Sequence, residues 1–307
     1  MTADAGINGF GLVGRTYPRA TPDKDDGAAT GAAKDGHAPP GIAPVPRHGT
    51  ARSGLVPELR AVQAVVLDTD GVITDSARVH AATWKTAFDA CLREHPPEDR
   101  RQRAPFDLQR DYLRYVDGKS RLDGATSFLM ARGVPVPAGA PGDPPGTGTV
   151  VAVAALKEQL YSERLRGPGI DAYPGSVRLL NALRSEGIPL AAASASHHAR
   201  ELLTRAGVLH FFAELVDGGE AARLRLPGKP DPALFVEAAR RLHVAVARTA
   251  VVEDALAGVE AGRRGGFGLV IGVDRAGGPD TGADLLRHGA DLVVRDLADL
   301  LLPGTED

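Results

Sequence analysis

Cysteine is nearly absent from this 307-residue chain. The single thiol, Cys91, cannot close an intramolecular disulfide, which excludes a disulfide-stapled scaffold and fits a reducing compartment. It falls in a stretch of helical periodicity, where a buried structural thiol is expected. An excess of charge of one sign is missing too: 36 Lys and Arg stand against 39 Asp and Glu, a net charge of −3. With the signs interspersed there is no basic stripe for nucleic acid and no polybasic patch for a membrane surface. Attraction for an anionic ligand must then be local. No apolar run approaches membrane-spanning length, and no signal-peptide hydrophobic region opens the chain. A cytoplasmic protein without nucleic-acid or membrane partners is the expectation. What remains, 43% hydrophobic and 24% charged residues, is the make-up of a globular protein with a sizeable core or two.

Against that background one run stands out: Ala64-Val65-Val66-Leu67-Asp68-Thr69-Asp70-Gly71. An apolar run ending in Asp-x-Asp-Gly reads as a buried strand of a parallel sheet that enters a turn at its C-terminal edge, where open α/β sheets bind ligands. Two carboxylates there suit a Mg²⁺ site, and they also suit a division between a nucleophile and a proton carrier. Asp and Gly are equally common in turns for conformational reasons. Three further segments repeat the theme. The apolar run 188–193 ends in Ser194-Ala195-Ser196, whose hydroxyls suit a phosphate oxygen or a helix N-cap. Gly228-Lys229-Pro230-Asp231-Pro232 sets a lysine in a proline-stiffened loop, placed to pair with a phosphate or simply solvated. Ala250-Val251-Val252 ends in Glu253-Asp254, where Asp254 is an N-cap or a Mg²⁺ ligand facing Asp68. Four polar strand ends in this order along one α/β chain belong together.

Taken jointly these motifs resemble the haloacid dehalogenase superfamily of phosphotransferases, and within it the β-phosphoglucomutase-like group, over residues 62 to about 300. The resemblance implies a Rossmann-like parallel sheet with an inserted helical cap. It implies Asp68 as a nucleophile that becomes an aspartyl-phosphate, and Asp70 as general acid/base. Ser194, Ala195 and Lys229 would hold the transferring phosphoryl group. Asp68, the backbone carbonyl of Asp70 and Asp254 would ligate Mg²⁺, with Glu253 supporting that metal shell. Thr69, often Phe or Leu in the family, points away from the site if its neighbours point in.

The cap carries the finer resemblance. Val72 to Ser76, His80 and Trp84-Lys85 look like a hinge and first cap helix, and Val116-Asp117-Gly118-Lys119-Ser120-Arg121 looks like a Gly-x-Ser-Arg segment. The resemblance implies that Arg121 grips the phosphate away from the reacting end, where a guanidinium fork matches it bidentately. Lys119 and Arg121 read otherwise as a solvated loop, and His80 as a core imidazole. Two departures concern the same end of the substrate. Ala155-Leu156-Lys157-Glu158 replaces an Asn-Arg-Lys-Asn-like segment, leaving only Lys157, and His197-His198 stands where Lys-Asn or Arg-Asn is usual.

The organisation follows. Residues 1–56, rich in Gly, Ala, Pro and Asp, are expected to be a disordered extension. Within them Gly6 to Arg15 contains Gly-x-Gly-x-x-Gly and resembles the opening of glyceraldehyde-3-phosphate dehydrogenases, but no strand precedes it and Pro18 interrupts the helix it needs. The core is assigned to 57–77 and 171–307, and the helical cap to 78–170. Helices are predicted over 79–92, 108–115, 125–131 and 150–165, with Trp84 and Phe88 in the cap's own core. The expected function is a monomeric, Mg²⁺-dependent phosphotransferase acting on a phosphosugar, interconverting β-glucose 1-phosphate and glucose 6-phosphate. A phosphatase of sugar phosphates or similar small molecules is the alternative, and an idle binding protein is disfavoured by the intact aspartates and lysine.

Overall fold

The computed structural model describes residues 54–167 and 170–302. The extension and its glycine-rich motif lie outside the described residues, except for the last residues of 1–56. Leu55 is fully buried, forms an antiparallel bridge with Leu301 and belongs to the core cluster. The packed chain therefore starts before residue 57, because an apolar side chain there finds a partner at the far end of the sequence.

Six parallel strands form one sheet: β1 (Ala64–Leu67), β2 (Leu190–Ala193), β3 (Glu214–Val216), β4 (Thr249–Glu253), β5 (Leu269–Val273) and β6 (Leu292–Val294). Their spatial order is β3-β2-β1-β4-β5-β6. The chain thus winds outward from β1 to β3, then returns to the other side of β1. The reversal between β1 and β4 makes their carboxyl ends the place where such sheets open a crevice. Strand residues alternate between two buried layers. Val65 and Leu67 pack with Leu179, Leu180 and Leu183, whereas Val66 packs with Phe235, Val259 and Leu285. Both faces are covered, which is why the strands read as continuous apolar runs.

Helices follow the strands in sequence. Around the sheet lie α1 (Pro57–Arg60), α5 (Pro174–Ser185), α6 (Ala199–Arg205), α7 (Gly218–Leu224), α8 (Ala233–Arg241), α9 (Leu256–Arg264) and α10 (Thr281–His288). Between β1 and α5 the chain makes a helical insertion with α2 (Ala77–Glu94), α3 (Arg121–Ala131) and α4 (Val150–Leu165). The insertion owns a separate apolar cluster that includes Trp84, Phe88, Phe106, Phe128 and Val153. Cys91 is buried in it, and burial pushes its thiol up to about 11. The two chain crossings run side by side, with Thr74 bridging Ala172 and the Asp75 amide donating to the Asp171 carbonyl at 3.1 Å.

One predicted helix differs in kind. Over 108–115 the regular part is a wide π turn at Tyr112–Val116, closed by the Asp117 amide on the Tyr112 carbonyl at 3.0 Å. Asp107 caps the turn before it, accepting from the amides of Gln109 and Arg110. The extra residue per turn delivers Asp117 and Gly118 toward the sheet edge, and such insertions are frequent at functional sites.

Candidate active site

At the switch between β1 and β4 the strand ends place the charged groups. Asp68 follows β1 directly, its amide still laddered to the Val252 carbonyl at 3.0 Å. Lys229, from the loop before α8, donates to Asp68 Oδ1 and to Glu253 Oε1, both at 2.6 Å. All three side chains are almost wholly buried. Two buried carboxylates hold the ammonium charged and push its pKa up despite desolvation. Burial pushes Asp68 up to about 8, with Lys229 opposing. The second oxygen of Glu253 accepts the Ala255 amide at 2.7 Å. Glu253 holds Lys229 and the Ala255 amide and stands behind the pocket lining, while Asp68, whose Oδ2 accepts the Asp70 amide at 2.9 Å, lines it. A Cβ on Gly258 would lie 1.7 Å from Glu253, so only glycine leaves room for this carboxylate.

Asp70 is held by four donors. Ser194 Oγ and Thr69 Oγ1 reach its Oδ2 at 3.2 and 3.3 Å, while Ser76 Oγ and His80 Nε2 reach Oδ1, the imidazole at 3.2 Å. Burial alone would raise its pKa, but His80, Ser76 and the Lys157 charge more than offset that and hold the carboxyl below its usual range. Lys157 Nζ lies 2.8 Å from His80 Nδ1. An ammonium only donates, so Nδ1 accepts and the ring proton sits on Nε2, facing Asp70. Burial and the Lys157 charge lower the His80 pKa, in keeping with this neutral tautomer. The Tyr161 ring, 4.1 Å from the imidazole centroid, fixes its plane.

The other end of the pocket is built from α3, α4 and the start of α6. Arg121 opens α3 and its Nη1 pairs with Glu158 Oε2 at 3.0 Å. The other Glu158 oxygen accepts His198 Nε2 at 2.5 Å. Burial would raise Glu158, but the His198 hydrogen bond and the Arg121 charge hold it at about 2. Among the expected phosphate-binding residues, Ala195, Lys229, Arg121, Lys157 and His80 line one pocket with Asp68 and Asp70, whereas buried Ser194 is turned to Asp70. Ser196 and His197 face the pocket in its place. The cavity is small, about 60 Å³, room for a few waters. A neighbouring cleft of about 560 Å³ shares Tyr112, Asp117 and Asp254 but is otherwise largely apolar. Convergent polar groups, not volume, mark the smaller one as the site.

The donor set fits a hard divalent cation. Asp68 and Asp254 line the pocket with carboxylate oxygens, ligands of the kind Mg²⁺ takes together with carbonyls and waters, and they are the residues that would hold it. Among the described residues no three His, Cys, Asp or Glu side chains converge as a ready-made metal cluster. Burial and mutual repulsion push Asp254 well above its ordinary range, and Asp117 up to about 7. This is a surplus of negative charge that a cation relieves. Gly71, at φ +79°, lets Asp254 approach, since a Cβ there would lie 1.8 Å from Oδ2. The roles of Asp117, Ser76 and Glu158 escaped sequence reasoning. Ser76 and Asp117 sit inside segments that carry the resemblance and Glu158 inside one that departs from it, but only the folded chain turns them toward the site.

Comparison with known proteins agrees with this geometry. A family model for haloacid dehalogenase-like hydrolases matches residues 62–266. The chain is 41% identical over 256 residues to a β-phosphoglucomutase of Mycobacterium bovis, covering 83% of this chain and 98% of that protein. It is 33% identical to the β-phosphoglucomutase of Bacillus subtilis, covering 78% and 92%. A hydrolase from Pseudomonas syringae superposes with a TM-score of 0.58 at 25% identity, covering 78% of this chain and 95% of that one.

Proposed function

The chain belongs to the haloacid dehalogenase-like hydrolases, in their β-phosphoglucomutase-like group, and from that premise we propose a Mg²⁺-dependent phosphotransferase working through an aspartyl-phosphate on Asp68. The observation that carries this reading is the contact of Lys229 with Asp68 at 2.6 Å, beside Asp70, at the switch point of the sheet. Lys229 aims a fixed positive charge where phosphoryl oxygens gather, and the buried setting strengthens it. Asp68 attacks phosphorus as the bond to the leaving oxygen breaks. Asp70, ionised and within the same pocket, takes the proton of an incoming hydroxyl when the phosphoryl group leaves Asp68, and returns it to the leaving oxygen in the reverse direction. Mg²⁺ held by Asp68, Asp254 and the Asp70 carbonyl would neutralise charge on the transferring group. The helical insertion lines the pocket opposite the sheet edge through His80, Arg121, Lys157 and Glu158, and its movement would admit substrate and then exclude water.

We further propose that the acceptor is a phosphosugar and the reaction the interconversion of β-glucose 1-phosphate and glucose 6-phosphate. Support comes from the near full-length similarity to the Mycobacterium bovis protein and from Arg121 at the far end of the pocket. A phosphatase reading is favoured by one observation: Arg121 is already paired with Glu158. Incubation with β-glucose 1-phosphate and a trace of the 1,6-bisphosphate decides between them. The mutase yields glucose 6-phosphate much faster than free phosphate. One free phosphate per substrate consumed, with no bisphosphate requirement, replaces it with the phosphatase.

A further inference from the structure

Glu158 is an acid in a pocket read as a site for phosphate esters, and its two oxygens do different things. Oε2 meets Arg121, the cation at the end remote from Asp68. Oε1 meets His198 at the N-cap of α6, so the same side chain ties the helical insertion to the sheet body across the pocket. Of the neighbouring cations, Lys157 is held on His80 and Lys119 on Ser127 at 3.1 Å, both neutral partners, whereas Arg121 is paired with a carboxylate that has a second partner. Arg121 is thus the cation at this end whose access to an anionic group depends on displacing a carboxylate. Loss of the guanidinium would leave Glu158 held by His198, itself backed by Glu201 Oε2 at 3.7 Å from its Nδ1.

We propose that Glu158 is a specificity residue: a built-in anion that occupies Arg121 until the second anionic group of a doubly charged substrate displaces it, the carboxylate then staying on His198. A ligand with one phosphate and a neutral far end leaves the Arg121–Glu158 pair intact, so Glu158 raises the cost of binding for every distal anion. This rests on the reading of the pocket as a phosphoryl-transfer site, and the test separates the two.

In an Asp68→Asn background with Mg²⁺, titration calorimetry compares β-glucose 1,6-bisphosphate with phenyl phosphate, with and without Glu158→Gln. The amide keeps the size of the side chain and its hydrogen bond to His198 but loses the charge. The ratio of bisphosphate to phenyl phosphate affinity should rise about two- to fivefold, the weight of one partly exposed ion pair. Adding Arg121→Ala should erase that gain, which a purely structural role of Glu158 would not. An unchanged or lowered ratio, or a gain that survives Arg121→Ala, overturns the inference. Bisphosphate binding to neither protein also overturns it, while turnover of β-glucose 1-phosphate by the unmodified chain, to glucose 6-phosphate or to free phosphate, keeps the phosphotransferase reading standing. Absence of both products removes the reading as well.

Discussion

The two ends of the pocket are built from the same currency, an ion pair between a cation and a carboxylate, but in opposite surroundings. At the sheet edge the side chains of Lys229 and Glu253 are each 1% exposed, whereas at the far end Arg121 and Glu158 are 37% and 26% exposed. Buried charges cannot exchange partners without a large desolvation cost, so the Lys229 knot is a fixed instrument. Half-exposed charges exchange cheaply, because water and ligand compete on nearly equal terms. The first arrangement suits chemistry that is the same for every substrate. The second suits discrimination between substrates. Breaking each end should therefore fail in a different way.

The largest effect is expected at the buried end. Asp68→Asn is nearly isosteric, so the fold should persist while turnover is abolished, the amide being a far poorer nucleophile and Mg²⁺ ligand. Chelation with EDTA should abolish turnover in the unmodified protein, and added Mg²⁺ should restore it. Activity that survives either treatment would remove the buried knot from the reaction.

Asp70→Asn should cost less, about 10²–10⁴-fold in rate, the usual loss when proton transfer is removed. The side chain of Asp70 is taken by Ser76, His80, Ser194 and Thr69, leaving its carbonyl for a metal. Mg²⁺ affinity measured by calorimetry should therefore hardly change. A parallel loss of metal affinity would make the side chain a ligand and blur the separation of roles.

The same contrast explains what was legible in the chain beforehand. β1 and β2 announce themselves because both faces are covered and every strand residue is apolar, and β4 does so through its apolar middle Ala250-Val251-Val252, so the polar residues that end these runs mark the sheet edge where the site lies. β3 is too short, at three residues, to form a pattern. The span 108–115 carries helical spacing, yet its turn widens because the Asp117 amide reaches Tyr112, a choice made by packing rather than periodicity. Glu158 reads as a loss of the family's asparagine, and nothing local says that its oxygens meet α3 on one side and α6 on the other. The buried end follows from a motif, while the half-exposed end follows from three elements meeting in space.

The smallest and most graded effect is expected from Lys157, which lies between the two ends. Burial lowers its pKa from 10.5 to about 8, with Glu158 and Asp70 opposing. Below that pH the ammonium donates to His80 Nδ1 and keeps the Nε2 proton on Asp70. Above it the charge is lost, the imidazole is no longer held in one tautomer, and the rate should fall by about tenfold per pH unit. Stability should move the other way. Between about 8 and 10.5 the unfolded chain still binds this proton and the folded one does not, so Lys157 makes unfolding less favourable as pH rises through that window. Its share is on the order of 1–3 kcal/mol. Rate and melting temperature measured across the same buffers should therefore part company, and Lys157→Met should be slower at pH 7 and flat through the window. A wild-type rate that stays level to pH 9.5, or a limb that Lys157→Met retains, would assign the titration to another group and leave His80 without its orienting partner.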